Sequence, residues 1–335
     1  MSSAAPSRPT CLHSRASLAA AVCVLVASVP VVVAAAPACP KGMVSIAGEY
    51  CIDRYEAATV VIDAPPTAKR KPKTLRRHAP YERVEGGHVM AVSEKGRVPQ
   101  AHISRDQAEV ACRNAGKRLC LDDEWVRACR GAKATTYPYG DEHREGQCND
   151  AGVSGFNKLF GPGNNVPPDA SAYNATNMND PRLNQLPGTL AKAGAFSQCR
   201  SSAKVYDLVG NLHEWTADPA GTFRGGYYLD THLNGDGCNY RTTAHDRTYH
   251  DYSTGFRCCW GGAEQARIDR ERRAKEKAEA EAKKRERAEA KAKKAREKAE
   301  AKKKLAAKKA REKVDAKKKA DATKARRGST PEKDG

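Results

Sequence analysis

Four patterns of apolar and polar positions divide the chain. The first is an apolar run from Leu18 to Ala36, broken only by Ser28 and Pro30 and preceded by Arg8 and Arg15. A positive flank, an apolar stretch and small residues at Ala34 and Ala36 predict a signal peptide over residues 1–36, cut near Ala36. An uncleaved membrane anchor is the alternative, because the run approaches the ~20 residues that span a bilayer. Ala36-Pro37-Ala38 ahead of Cys39 is a poor lipoprotein signal.

The second pattern is alternation. Cys39 to Ala57 alternates well enough to predict a hairpin, tied by Cys39 and Cys51. Residues 62–80 then turn polar and rich in Pro and Lys, which predicts a solvated loop. The third pattern is helical. Ser104 with Gln107 three residues on predicts a capped helix start, Ala108, Val110, Ala111 and Ala115 share its apolar face, and Gly116 ends it. A second helix is predicted from Asp122, with Trp125, Val126 and Cys129 at helical spacing. Both Trp125 and Trp215 are read as core residues, since burial is the ordinary use of so large a ring. Residues 131–187 carry Gly, Asn, Asp and Pro and predict few elements. Strand-like pieces return from Val205 to Trp260, punctuated by Gly225-Gly226 and Gly255.

The fourth pattern is a tail, residues 261–335, of Ala, Lys, Arg and Glu. Large aliphatic residues are confined to Ile268, Leu305 and Val314, so no heptad seam exists. Pairs such as Glu271/Lys275, Glu279/Lys283 and Glu289/Lys293 stand at the favourable i,i+4 spacing. A solvated helix or a disordered segment is predicted; if helical, some 60 residues would reach about 90 Å.

Charge sharpens this division. The 335-residue chain has a formal net charge of +19, of which the tail, with 29 Lys and Arg against 15 Asp and Glu, supplies +14. The basic balance therefore describes the tail. Runs such as Lys302-Lys303-Lys304 would attract an anionic polymer or membrane surface. No aromatic is interleaved for base stacking, so sequence-specific nucleic-acid recognition is not expected. A plain spacer is the alternative.

Cysteine adds a compartment. Of 12 cysteines, Cys11 and Cys23 fall in the signal, leaving Cys39, Cys51, Cys112, Cys120, Cys129, Cys148, Cys199, Cys238, Cys258 and Cys259. An even number behind a signal peptide predicts disulfides and a secreted or periplasmic protein. Zinc is disfavoured, because no C-x-x-C or H-x-x-x-H pair stands at ligand spacing.

Three blocks carry a resemblance. The first runs from Ala111-Cys112 through Gly116-Lys117-Arg118-Leu119-Cys120, Glu124-Trp125 and Ala128-Cys129-Arg130-Gly131 to Tyr137-Pro138-Tyr139-Gly140. The second is Val205-Tyr206-Asp207-Leu208-Val209-Gly210-Asn211-Leu212-His213-Glu214-Trp215. The third is Phe223-Arg224-Gly225-Gly226, then Arg241 and Gly255-Phe256-Arg257-Cys258. Together they resemble the formylglycine-generating enzyme, or sulfatase-modifying factor, family. The resemblance implies an α+β, C-type-lectin-like fold of low regular secondary structure over residues 39–260.

The resemblance also implies sites. Asp207, Gly210, Leu212 and Glu214 occupy positions that bind calcium in the family, and two carboxylates with two backbone carbonyls suit that hard cation. A possible second calcium site begins at Asn149 and Asp150. Cys112 pairs with Cys258 by family position. Cys238 is the substitute partner for Cys129, whose usual partner position holds Thr242. Cys148–Cys199 would close the irregular region, and Cys120 and Cys259 could pair with each other; the pairing among Cys120, Cys129, Cys238 and Cys259 is left open.

The family's enzymes oxidise a peptide cysteine to formylglycine with oxygen and copper held by two cysteines, since soft sulfur ligands select Cu(I). Here Asp230 stands at the first cysteine position, Gly235 or Gly237 at the second, and Tyr227 at the serine position. Copper is therefore not expected. Asp230, His232, Asp236, His245 and His250 are read first as polar loop residues around a surface groove, with a different metal set, iron or zinc, as the alternative. The leading expectation is a non-catalytic module binding a peptide or glycan in its groove, with the tail on an anionic surface. An oxidoreductase of the formylglycine-generating type and a structural envelope protein are the rivals.

Overall fold

The computed structural model describes residues 38–327 apart from 68–69, 86 and 164. The expected signal peptide, with Cys11 and Cys23, lies outside the described residues. The chain opens with strands β1 (Met43–Ile46), β2 (Tyr50–Asp53), β3 (Ala58–Ile62), β4 (Thr74–Arg77) and β5 (Val89–Val92). Helix α1 (Arg105–Asn114), strand β6 (Arg118–Leu119) and helix α2 (Asp122–Arg130) follow. Two short helices, α3 (Gly155–Phe160) and α4 (Ala175–Met178), interrupt the irregular region. Strands β7 (His213–Trp215), β8 (Phe223–Arg224), β9 (Arg241–Thr242), β10 (Thr254–Phe256) and β11 (Cys258–Trp260) close the domain, and α5 (Gly262–Arg327) leaves it.

Short strands make small sheets, ordered β1-β2-β11-β6, β10-β7-β8-β9 and β4-β3-β5 among the described residues. The hairpin forms as its alternation predicts, Met43 opposite Asp53 and Ile46 opposite Tyr50. Helix α1 starts on the predicted box: Gln107 N–H donates to Ser104 Oγ at 3.3 Å, and Gln107 Oε1 accepts from Ser104 N–H at 2.9 Å. In α2 the Glu124 carboxylate reaches back to Leu121 N–H at 2.9 Å while Arg118 forks onto both its oxygens at 2.6 Å. Trp125 and Trp215 are both buried in the core.

The loop expected over residues 62–80 is corrected: it holds β4, paired antiparallel with β3 across a register shift at Val61/Ile62. All four residues of β4 are exposed. A strand that buries neither face leaves no alternation to read, so its pairing is invisible in the pattern.

Five disulfides supplement sheets too small to hold the domain alone: Cys39–Cys51, Cys112–Cys258, Cys120–Cys259, Cys129–Cys238 and Cys148–Cys199. Adjacent residues on a strand face opposite ways. Cys258 therefore reaches α1, and Cys259 reaches Cys120 ahead of α2. Two bridges from one short strand thus pin both helices to the C-terminal edge of the domain.

Helix α5 is buried against the domain in its first turns, where Gln265 is buried and Ile268 half-buried, and it lines open clefts with the domain as far as Glu276. From Arg270 to Lys324 every residue is exposed. Opening the 146-residue Cys112–Cys258 loop with a Cys112→Ser/Cys258→Ser double variant should cost about 2–5 kcal/mol. Denaturant midpoints measure it; an unchanged midpoint would show that packing alone holds α1.

Candidate functional site

The second resemblance block ends in β7, which carries the Glu214 side chain inward to 1% exposure. Arg257, fully buried between β10 and β11, meets it as a fork: Nε donates to Oε2 and Nη2 to Oε1, each at 2.5 Å. Trp125 Nε1 also donates to Glu214 Oε2 at 2.7 Å. Arg257 spends its other N–H groups on the carbonyls of Asp53 at 3.1 Å and Tyr206 at 2.8 Å.

Two more carboxylates are buried beside this pair. Glu56 Oε2 accepts from Asn211 Nδ2 at 2.5 Å and Oε1 from Leu212 N–H at 3.2 Å. Asp207 Oδ2 accepts from Gly194 N–H at 2.6 Å. Burial, reinforced by the charges of Asp207 and Glu214, pushes the Glu56 pKa well above the usual carboxylate range. Burial likewise pushes Asp207 up to about 7, against the pull of Gly194 N–H and Arg257. Three interior carboxylates thus share one guanidinium. Above neutral pH that surplus of negative charge calls for a proton or a cation, since isolated buried charges are costly.

Two of the expected calcium donors, Asp207 and Glu214, belong to this surplus, and Gly210 and Leu212 lie between them in the chain. Positive φ angles at Asp207 (58°), Gly210 (77°) and Asn211 (60°) curl the backbone between Asp207 and Glu214. Asn211 N–H donates to Asn149 O at 2.8 Å, and a Cβ on Gly210 would come within 2.1 Å of that same oxygen, so only glycine fits. An all-oxygen donor set with excess buried negative charge suits a hard cation. Glu214 offers it little: Oε2 already accepts two hydrogen bonds, leaving one lone pair on Oε1. Among the described residues no three His, Cys, Asp or Glu side chains form a metal cage. A cation held here would rest chiefly on backbone carbonyls and Asp207.

Asn149 and Asp150, expected to begin a second calcium site, are partly engaged in hydrogen bonds. The Asn149 amide donates to Thr189 O at 3.0 Å and Asn211 Oδ1 at 2.9 Å, bracing the same curl. Asp150 Oδ2 meets His143 Nε2 at 2.8 Å, while its buried Oδ1 has no hydrogen-bond partner.

The stretch aligned with the copper cysteines is a packed turn. Asp230 Oδ1 accepts from the N–H groups of His232 at 2.9 Å and Leu233 at 3.0 Å, and Oδ2 from Tyr240 OH at 2.9 Å. Tyr227 and Asp230 exchange backbone hydrogen bonds of 2.9 and 3.1 Å. A Cβ on Gly237 would lie 2.7 Å from Thr136 O and from the Tyr137 ring, so that position excludes any side chain. Cys238 is bridged to Cys129, and every cysteine among the described residues is disulfide-bonded.

The rival metal set does not converge. His232 Nδ1 pairs with Asp236 at 2.9 Å, His245 stacks on Tyr249 at 3.7 Å between centroids, and His250 Nδ1 contacts Asn179 Oδ1 at 2.7 Å. Sequence reasoning missed His213, buried among Phe223, Tyr227 and Tyr240 and held neutral by burial, which lowers its pKa to about 3. It also missed Glu56, for which no local pattern exists, and the partner of Arg257, whose block was quoted without a role.

A cleft of about 500 Å³ opens beside β4, where Arg76, His78, Tyr81, Arg83 and His88 share the lining with the carboxylates of Glu82 and Glu85. Guanidinium, imidazole and phenol groups around one opening offer donors and a stacking face, the equipment of a polar-ligand groove.

The family described as the sulfatase-modifying factor enzyme 1-like domain matches residues 61–288. The chain is 29% identical over 168 residues to the inactive C-alpha-formylglycine-generating enzyme 2 of Mus musculus, covering 45% of this chain and 44% of that protein. For the Bos taurus protein of the same name the figures are 29% over 204 residues, 54% and 56%. The chain thus spans about half the length of the curated relatives it matches. Among solved structures, PvdO from Pseudomonas aeruginosa is 15% identical with a TM-score of 0.37, covering 65% of this chain and 82% of that one. Treponema denticola variable protein 1 is 12% identical with a TM-score of 0.36, covering 63% and 95%.

The carboxylate cluster makes a signed prediction. Asp207 titrates near 7 folded and near 4 unfolded, so its protonated form favours the native state. That contribution is full below about pH 4 and is lost as pH rises through about 7. In calcium-free buffer, Asp207→Asn, which tolerates the positive φ, should gain stability relative to the parent between those values. Denaturation midpoints across the range check this; a constant difference would show that Asp207 is ionised throughout.

Proposed function

Because the chain belongs to the sulfatase-modifying factor enzyme 1-like family, we propose that it is a member that binds rather than oxidises. The carrying observation is the fate of the copper positions. Formylglycine generation needs two thiolates, since soft sulfur holds Cu(I). Here one position is an aspartate that ties a turn, and the other falls in a glycine-bearing stretch where Gly237 has no room for a side chain. The nearest sulfur, Cys238, is spent on a disulfide. Similarity to proteins named as inactive supports the same reading.

Five disulfides support export to an oxidising compartment. Within the described residues no helix is long and apolar enough to cross a membrane. The cleft beside β4 is the ligand groove of this reading, taking a polar glycan or peptide between the guanidinium groups of Arg76 and Arg83 and the carboxylates of Glu82 and Glu85. Asp207 with the carbonyls of Gly210 and Leu212 would hold calcium, which supplies fixed positive charge to the interior and no redox chemistry. The tail would hold the protein to an anionic surface.

The deciding assay is incubation of the oxidised protein with a sulfatase-type cysteine peptide, oxygen and Cu(I), followed by mass spectrometry of the peptide. No conversion above a metal-free control is expected. Turnover that disappears in a folded Cys238→Ser variant would overturn the binding reading in favour of the oxidoreductase. A separate measurement addresses the cation. Millimolar calcium should raise the melting temperature over a chelator-treated sample, and Asp207→Asn should blunt the rise; identical melting with and without calcium would remove the cation from this account.

A further inference from the structure

Helix α5 is not uniform along its length. Residues 263–290 carry 10 Lys and Arg against 8 Asp and Glu, a net +2. Residues 291–327 carry 18 against 5, a net +13. The near half pairs its own charges: Arg267 bonds Glu264 and Glu271 at 2.6 Å, and Arg272 meets Asp269 at 3.0 Å. In the far half the observed ion pair is Lys304 with Glu300 at 2.8 Å. Neither half packs on the domain beyond the first turns.

The far half is also polarised around its axis. Lys291, Lys298, Lys302, Lys309, Lys313 and Lys317 follow one another at intervals of seven or four residues. At about 3.6 residues per turn these intervals keep all six within roughly 100° of arc, over a rise of about 39 Å. None of the five acidic residues, Glu297, Glu300, Glu312, Asp315 and Asp321, falls in that arc. Between the lysines the arc carries alanines, which let a partner approach the helix closely.

We propose that this row is the binding edge of the protein for a linear acidic polysaccharide, with residues 263–290 serving as the spacer that carries it clear of the domain. The inference rests on the reading of the tail as an anionic-surface anchor, and names the surface. A bilayer suits the row poorly, because Leu305 and Val314 stand on opposite faces and give no apolar side to insert. A duplex suits it poorly too. Its phosphates wind about an axis that a straight row crosses rather than follows, and no aromatic residue after Trp260 is present to stack on bases. An extended, flexible polyanion can lie along the row and release counterions at each lysine.

The test uses the full oxidised chain and two variants of equal charge. One replaces the six row lysines by Gln, whose helix propensity is close to that of Lys. The other replaces Lys293, Lys304, Lys308, Arg311, Lys318 and Lys319 on the remaining faces. Binding to heparin, to phosphatidylglycerol vesicles and to duplex DNA is measured across a salt series. The row variant should lose at least about tenfold in heparin affinity, with a salt slope shallower by about 4. The second variant should lose much less. Equal losses in both would overturn the oriented row. Tighter binding of the parent to vesicles or duplex than to heparin at equal salt would overturn the ligand class. Failure of the parent to bind any of the three would instead sink the underlying anchor reading.

Discussion

The buried Arg257–Glu214 fork is the constraint around which the domain is arranged. Taking both charges out of water costs several kcal/mol each, and the cost is offset only when every donor and remaining lone pair finds a partner. Those partners come from distant parts of the chain: Trp125 in α2, the Asp53 carbonyl at the end of β2, and the Tyr206 carbonyl ahead of the curl into β7. The ion pair therefore specifies where those segments meet more than it stabilises their meeting.

A related economy governs the two candidate sites. Around Glu56, Asp207 and Glu214 the interior carries more acid than it has base to match, a condition suited to taking up a cation or a proton. Around Asp230 the opposite holds, for each oxygen of its carboxylate is bonded within its own loop or to Tyr240. Polar residues satisfied by their neighbours hold a shape; polar residues left in surplus bind something. By that criterion the stretch aligned with the copper cysteines serves as scaffold, while the opening beside β4 presents Arg83 and His88 to solvent.

What could be read in the sequence followed from short-range physics. The capped start of α1, the helical spacing in α2, the hairpin of β1 and β2 and the long uninterrupted tail each leave a local imprint on residue order. The resemblance supplied part of what local order cannot, the meeting of Cys112 with Cys258, and left the pairing among Cys120, Cys129, Cys238 and Cys259 to the structure. Strand β4 escaped because both its faces are wet. Glu56 and His213 escaped because an interior carboxylate or imidazole is defined by what surrounds it in space. Arg257 lies within Gly255-Phe256-Arg257-Cys258, yet its role depends on a glutamate 43 positions earlier.

The placement of Cys258 and Cys259 bears on how the protein is made. Cys112, Cys120 and Cys129 precede their partners by 146, 139 and 109 positions. At ordinary synthesis rates of about 5–20 residues per second, each thiol waits roughly 5–30 s for its partner to emerge. During that wait the three thiols have one another as neighbours, and Cys148 and Cys199 join them before either residue of β11 exists. The covalent framework therefore cannot be completed until the C-terminal end of the domain has been synthesised, and the three early thiols must stay free or exchangeable until then.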